Sequence, residues 1–322
     1  NSTDLVLTSS DMAQMSDAEL KKKLPNLKVV ARALPQDKSR LVRISEEENL
    51  VVGMTGDGVN DAPALKKADV GFAMNSGTEV AKEASDIILL DNNFYSITKA
   101  ILYGRTIFKS IRKFIIFQLT VNFCAVFLSI VGPFIGVATP VTVIQMLWIN
   151  MVMDTLAGIA FSYEAPLSEY MEENPKDRYE PILNSYMIHE IVFIGIYSSL
   201  LCIFFLKSPY IHSFFRDDIN DKYFLTAFFG LFIFTSIFNS FNARTSRLNI
   251  FANLFKNKMF MIVIIFIAIV QFILIYYGGE LFRTVGLSFK EIEIMLLCAF
   301  SVIPVELFRK IYLKKNNKLG HV

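Results

Sequence analysis

Leu50-Val51-Val52-Gly53-Met54-Thr55-Gly56-Asp57-Gly58-Val59-Asn60-Asp61 is an apolar run that stops abruptly in glycines and carboxylates. Residues 50–56 read as a short buried strand, and the glycines after it let the chain turn sharply and let a ligand approach the backbone. Asp57 and Asp61 then project toward the sheet's edge. They form a pair suited to Mg²⁺, which is usually held by one or two carboxylates plus phosphate. A lone Gly-Asp-Gly is also an ordinary turn. The second Asp, four residues on and behind a buried strand, favours the site.

Working outward, residues 28–34, 70–74 and 86–90 read as further short strands, with helical stretches at 37–46 and 61–68. That alternation predicts an α/β domain with a parallel sheet, whose chemistry gathers at the carboxyl ends of the strands. Lys38 follows the 28–34 strand. It either neutralises a phosphoryl oxygen or is a surface charge, and spacing alone does not choose. Glu46-Glu47-Glu48 reads as a solvated helix end.

Farther along, the composition changes. Residues 1–113 hold 16 Lys/Arg and 15 Asp/Glu, an ordinary soluble mixture, whereas 114–160 hold one charge in 47 positions, Asp154. Apolar residues make up 53% of the chain, with 30 Phe against three His, and the mean hydropathy is +0.43. A wholly soluble protein is excluded. The formal net charge of +2 is too small to suggest nucleic-acid binding. Cys124, Cys202 and Cys298 lie in apolar runs, which argues against a disulfide framework. The sequence from Asn1 on shows no basic n-region and no cleavage pattern of a signal peptide, the missing initiator Met hints at a fragment, and His189, His212 and His321 lack metal-ligand spacing.

Six stretches reach the roughly 20 apolar residues a spanning helix needs: about 107–130, 140–160, 186–206, 223–241, 259–277 and 291–308. The first two are joined by a tight turn at Gly132-Pro133-Phe134-Ile135-Gly136. Loops on the side of residue 1 carry fifteen Lys/Arg, from Arg105 to Lys318, against five on the other (Lys207, Arg216, Lys222, Arg283 and Lys290). The N-terminal domain and the C-terminus are therefore expected in the cytoplasm, where the Asn1-Ser2-Thr3 sequon escapes glycosylation.

Polar residues within spans need a reason. A carboxylate such as Asp154 costs about 2.5–3.5 kcal/mol at a helix centre. Asn150 lies one helical turn before it, so the two are expected to share a face. Gln118 and Asn122 repeat the i, i+4 spacing in the preceding span. One carboxylate and several amide oxygens are hard ligands suited to a desolvated cation. Gln118 by itself reads equally as helix-to-helix glue. Asn239 and Asn242 read as a helix end rather than as ligands.

The run Met54-Thr55-Gly56-Asp57-Gly58-Val59-Asn60-Asp61-Ala62-Pro63-Ala64-Leu65-Lys66-Lys67-Ala68-Asp69-Val70-Gly71 resembles the P-type ATPases, ion pumps with a haloacid-dehalogenase-type (Rossmann-type) phosphorylation domain. Gln118-Leu119-Thr120-Val121-Asn122 and Met146-Leu147-Trp148-Ile149-Asn150-Met151-Val152-Met153-Asp154-Thr155 are similar to the fifth and sixth membrane helices of calcium pumps. Phe238-Asn239-Ser240-Phe241-Asn242-Ala243-Arg244 resembles the end of the eighth helix in the plasma-membrane type.

The resemblance covers essentially the whole chain and implies the C-terminal part of a pump. Residues 1–104 would belong to the phosphorylation domain and 105–322 to a six-helix, all-α transmembrane domain. It implies Mg²⁺ at Asp57, with Asn60 and Asp61 completing that environment and Thr55, Gly56 and Gly58 shaping the loop. Lys38 would offset phosphoryl charge, and Asn122, Asn150 and Asp154 would hold the transported Ca²⁺. The phosphorylated Asp-Lys-Thr-Gly motif, the nucleotide-binding domain that holds most of the ATP, the actuator domain and four membrane helices are absent from this sequence.

Ala125 and Ser236 stand where two-ion pumps carry glutamates, which implies a single Ca²⁺ per cycle and leaves Mn²⁺ or a monovalent cation open. About fourteen residues follow the last expected span, too few for a calmodulin-binding tail, so a bacterial or otherwise simple pump of the cell membrane is expected. A non-catalytic membrane subunit on the same scaffold is the reading from another class. Intact Lys38, Asp57 and Asp61 argue against it. In the family, the nucleophile's strand and its neighbour lie mid-sheet. Without them the strands at 28–34 and 50–56 should flank a gap, and the chain alone should neither hydrolyse ATP nor resist protease over residues 1–100.

Overall fold

The computed structural model describes residues 4–136, 141–218 and 220–316. The sequon, Lys318, His321 and the first residue of the expected second span lie outside these. The described structure separates into two compact units, one of Asn1–Gly104 with Ser168–Pro181 and one of Arg105–Leu167 with Ile182–Val322.

In the first unit, β1 (Leu5–Thr8) leads through α1 (Ser9–Gln14) and α2 (Asp17–Lys23) to β2 (Leu27–Ala31), its parallel partner. α3 (Pro35–Glu47) then leads to β3 (Gly53–Gly56), α4 (Ala62–Lys67), β4 (Val70–Met74), α5 (Glu79–Glu83) and β5 (Ile87–Leu89). β3, β4 and β5 form a separate three-stranded parallel sheet in that order. The α/β reading is what the structure shows, with boundaries moved. β2 stops at Ala31 because Arg32 takes a left-handed turn at φ 57°. β3 starts only at Gly53 because the Val52 amide donates to the Asp69 carboxylate (2.8 Å) instead of joining the ladder.

β1 escaped the sequence reading, being four residues long with a single buried side chain. β2 and β3 belong to different sheets, and the neighbouring apolar side chains of Val29 (49% exposed) and Val51 (59%) face outward. An apolar strand edge of this kind invites pairing with another segment.

The second unit is helical. α6 (Tyr95–Val131) ends in a 3₁₀ turn over Gly132–Ile135, closed by Gly136 at φ 73°, a left-handed position that suits glycine. α7 (Val143–Leu147) passes through a π-helical turn, Trp148–Met153, into α8 (Asp154–Ser162). α9 (Ser185–Lys207), α10 (Pro209–His212), α11 (Lys222–Arg244), α12 (Lys258–Tyr277), α13 (Gly279–Phe282), α14 (Phe289–Phe300) and α15 (Val302–Lys315) follow.

Among the described residues, five segments are long and apolar enough to cross a membrane: Tyr95–Ile135, Val143–Ser162, Ser185–Lys207, Lys222–Arg244 and Lys258–Tyr277. The expected sixth, 291–308, is broken into α14 and α15 at Ser301. Pro304 explains the break. It has no N–H to offer the Phe300 carbonyl, and its ring clashes there, so one helix ends and another restarts.

α11 is the centre of this unit, with 83% of its most apolar window buried against 33–44% for the other four. Thr226, Ser236 and Ser240 return their hydroxyls to their own helix, as Ser236 does to the Phe232 carbonyl (2.9 Å), which satisfies them without water. α11 runs past the expected 241 to Arg244. There Asn242 donates to the Val302 carbonyl (3.1 Å), and Lys310 caps α11 through the Asn242 and Thr245 carbonyls (2.9 and 2.7 Å). Glu164 is a second tie: it accepts from Lys113 (2.7 Å) and Asn257 (3.1 Å) and lies 3.7 Å from the Arg244 guanidinium. It thus joins the end of α8 to α6, α11 and the start of α12.

Candidate functional site

The loop after β3 is built around Asp61. The side chain is 7% exposed and accepts from the Asp57 and Gly58 amides (3.3 Å each) and from the Lys38 ammonium at the start of α3. Gly56 permits this approach, since a Cβ there would lie 2.4 Å from the Asp61 Cβ. A second loop closes in from after β4, where the Thr78 amide donates to the Asp57 carbonyl (2.8 Å). Thr55 and Gly58 are half-buried, while Asn60 and Asp57 are exposed.

Lys38, Asp57, Gly58 and Asp61 are therefore brought together, but not as a symmetric carboxylate pair. Both Asp61 oxygens are engaged within the protein, and the Asp57 carboxylate is the one presented at the carboxyl end of β3. This donor set fits Mg²⁺ held mainly by Asp57, with Asp61 fixing the loop and the cation of Lys38.

Burial pushes the Asp61 carboxyl up, but the Lys38 and Gly58 hydrogen bonds outweigh it and hold the group below its ordinary value of 3.8. A carboxyl depressed in the folded state stabilises the fold above its unfolded value, and that contribution fades as pH falls through the folded value. The first unit of the wild type should therefore lose stability from about pH 4 downward. Asp61→Asn should lack that component, as measured by proteolysis-monitored melting of the full chain against pH.

In the helical unit, Gln118 on α6 donates to Asp154 Oδ2 across 2.5 Å. Asp154 is 5% exposed, and its Oδ1 and the Gln118 Oε1 are buried without a hydrogen-bond partner. Two buried oxygens with nothing to accept from are a costly arrangement for a protein interior and an inviting one for a cation. Asn122 is half-buried one turn along α6. Asn150 is exposed where Asp154 is buried, and the segment just before Asp154 is the π-helical turn Trp148–Met153. Asn242 serves the helix end, but Asn239 does not, since it lines a buried cavity.

Residues 138–312 match the family described as cation transporting ATPase, C-terminus. The chain belongs to that family. Residues 40–101 also match the haloacid dehalogenase-like hydrolases, in keeping with the βα units around Asp57.

Among curated proteins, the chain is 38% identical over 307 residues to plasma membrane calcium-transporting ATPase mca-1 of Caenorhabditis elegans, covering 90% of this chain and 24% of that protein. It is 38% identical over 310 residues to plasma membrane calcium-transporting ATPase 4 of Homo sapiens (91% and 25%). Calcium-transporting ATPase 8, plasma membrane-type, of Arabidopsis thaliana gives 38% over 293 residues (89% and 27%). The chain thus spans about a quarter of the length of these relatives.

The sequence reading took Arg178 only as one of the loop charges. Its guanidinium pairs with Asp69 and donates to the Leu50 carbonyl (3.0 Å), attaching the 168–181 segment to the strand loop within the first unit. The visible signal was a polar, charge-bearing loop between two spans, which carries no indication of where it docks.

Proposed function

We propose that the chain is the C-terminal part of an ATP-driven pump that moves Ca²⁺ across a cell membrane, with its aspartyl phosphate formed on a segment outside this sequence. Residues 1–104 are the end of the phosphorylation domain, and 105–322 are the transport domain. In that domain α14 and α15 together make the sixth crossing, and both chain ends face the cytoplasm. The observation that carries the reading is the pair of unpartnered buried oxygens on Asp154 and Gln118. Asp154 supplies the charge for a hard cation, and Gln118, Asn122 and Asn150 supply neutral oxygens, Asn150 from a face that another helix has to cover.

In the cytoplasmic part, Mg²⁺ bound at Asp57 would screen phosphoryl charge. Lys38, held by Asp61, places a cation beside the same loop, while Asn60 and the Thr55-Gly56 backbone shape it. This is catalysis by position and electrostatics rather than by covalent chemistry of these residues. Ion dependence of phosphorylation by ATP in the full-length protein tests the reading. Micromolar Ca²⁺ should switch phosphorylation on, and activation by Mn²⁺, Na⁺ or K⁺ in its absence would move the assignment to that ion.

A further inference from the structure

α6 and α9 approach closely where α9 carries small side chains: a Cβ on Gly195 would lie 2.6 Å from the Phe123 ring. Between them and α11 the packing leaves a cavity of about 20 Å³, room for one water-sized occupant. Cys124 of α6, Cys202 of α9 and Thr235 of α11 line it. The cysteines are 4% and 1% exposed, and both belong to the lining of this one small cavity. Thr235 is 4% exposed and its Oγ1 has no hydrogen-bond partner.

The lining contains no carboxylate, so a hard divalent cation would find nothing to balance its charge. Besides the two thiols it offers only neutral hydroxyl and amide groups, from Thr120, Ser198, Thr235, Ser236 and Asn239, so the two sulfurs are its charge-forming ligands and select a soft cation.

We propose that Cys124 and Cys202 form a two-coordinate site for a thiophilic d¹⁰ cation, separate from the oxygen site at Asp154. For a divalent ion, two S–H bonds break, two S–metal bonds form and two protons leave to water. The bis-thiolate complex is then neutral, which matters because burying net charge costs several kcal/mol. Sulfur–metal bonds of about 2.3 Å set the two sulfurs on either side of one atom, and the cavity supplies the space. A bound ion ties α6, which carries Gln118 and Asn122, to α9.

The test uses the full chain in lipid nanodiscs and HgCl₂, a neutral salt that passes through lipid. Binding is followed by thiolate-to-metal absorption and by the mercury retained after challenge with excess monothiol. The expected result is one retained mercury per chain, with only Cys298 then open to alkylation. Cys124→Ser and Cys202→Ser should each weaken retention about a hundredfold, the scale of advantage a second pre-positioned ligand gives. Cys298→Ser should leave it unchanged, and serine is close enough in size that helix content by circular dichroism should match the wild type. Complete release to the monothiol, wild-type retention in both single variants, or loss in Cys298→Ser would overturn the proposal.

Discussion

Asp154→Asn in the complete pump is expected to abolish calcium-switched phosphorylation by ATP while leaving the helices assembled. Asp154 is the only charge in residues 114–160, and a neutral amide leaves the ion facing dipoles alone. Removing one partner of a buried charge pair costs about 3–5 kcal/mol, which is about two to four decades in ion affinity. The fold should survive because an Asn oxygen can still accept from Gln118, whose amide now donates to the carboxylate. The helix also no longer carries a costly charge. Phosphorylation still switched on by micromolar Ca²⁺ in this variant would remove Asp154 from the ion site.

Asp57→Ala should act on the other half of the cycle. With the exposed carboxylate gone from the carboxyl end of β3, phosphoenzyme formation should fall by about two to three orders of magnitude, the scale seen when one preorganised electrostatic group is deleted. Ca²⁺ binding should persist, since Asp57 and Asp154 lie in different compact units. The loop should hold its shape, because Asp57 contributes to it through its backbone amide and carbonyl rather than its side chain. Phosphorylation at the wild-type rate under limiting Mg²⁺ would refute the assignment.

The two sites differ in how much of them could be read in advance. Around Asp57 the signals are local: a β-rich run, glycines where the chain must turn, and carboxylates just beyond. What stayed hidden was the division of labour between Asp57 and Asp61, because Lys38 reaches Asp61 from 23 residues away. At Asp154 the cost of a charge in an apolar run marked the residue, and equal spacing marked Gln118 as its partner or as glue. The π turn just before Asp154 has no comparable signal. It depends on how α7 and α8 pack as well as on the sequence between them.

By itself the sequence determined that one part is α/β and the other made of apolar helices, since hydrophobic period and run length are properties of neighbouring residues. It also marked Asp57 and Asp154 as the candidate site residues, because each breaks the pattern around it. Only the tertiary structure decided that β1–β2 and β3–β5 are separate sheets, that α11 is the buried centre, and that Pro304 divides the last apolar stretch instead of bending it. It alone brought Cys124 and Cys202, 78 positions apart in the chain, to the lining of one cavity. The physical reason is the same in each case: strand pairing, burial order and helix contacts are settled by competition among distant surfaces, and no local window of sequence contains both sides of that competition.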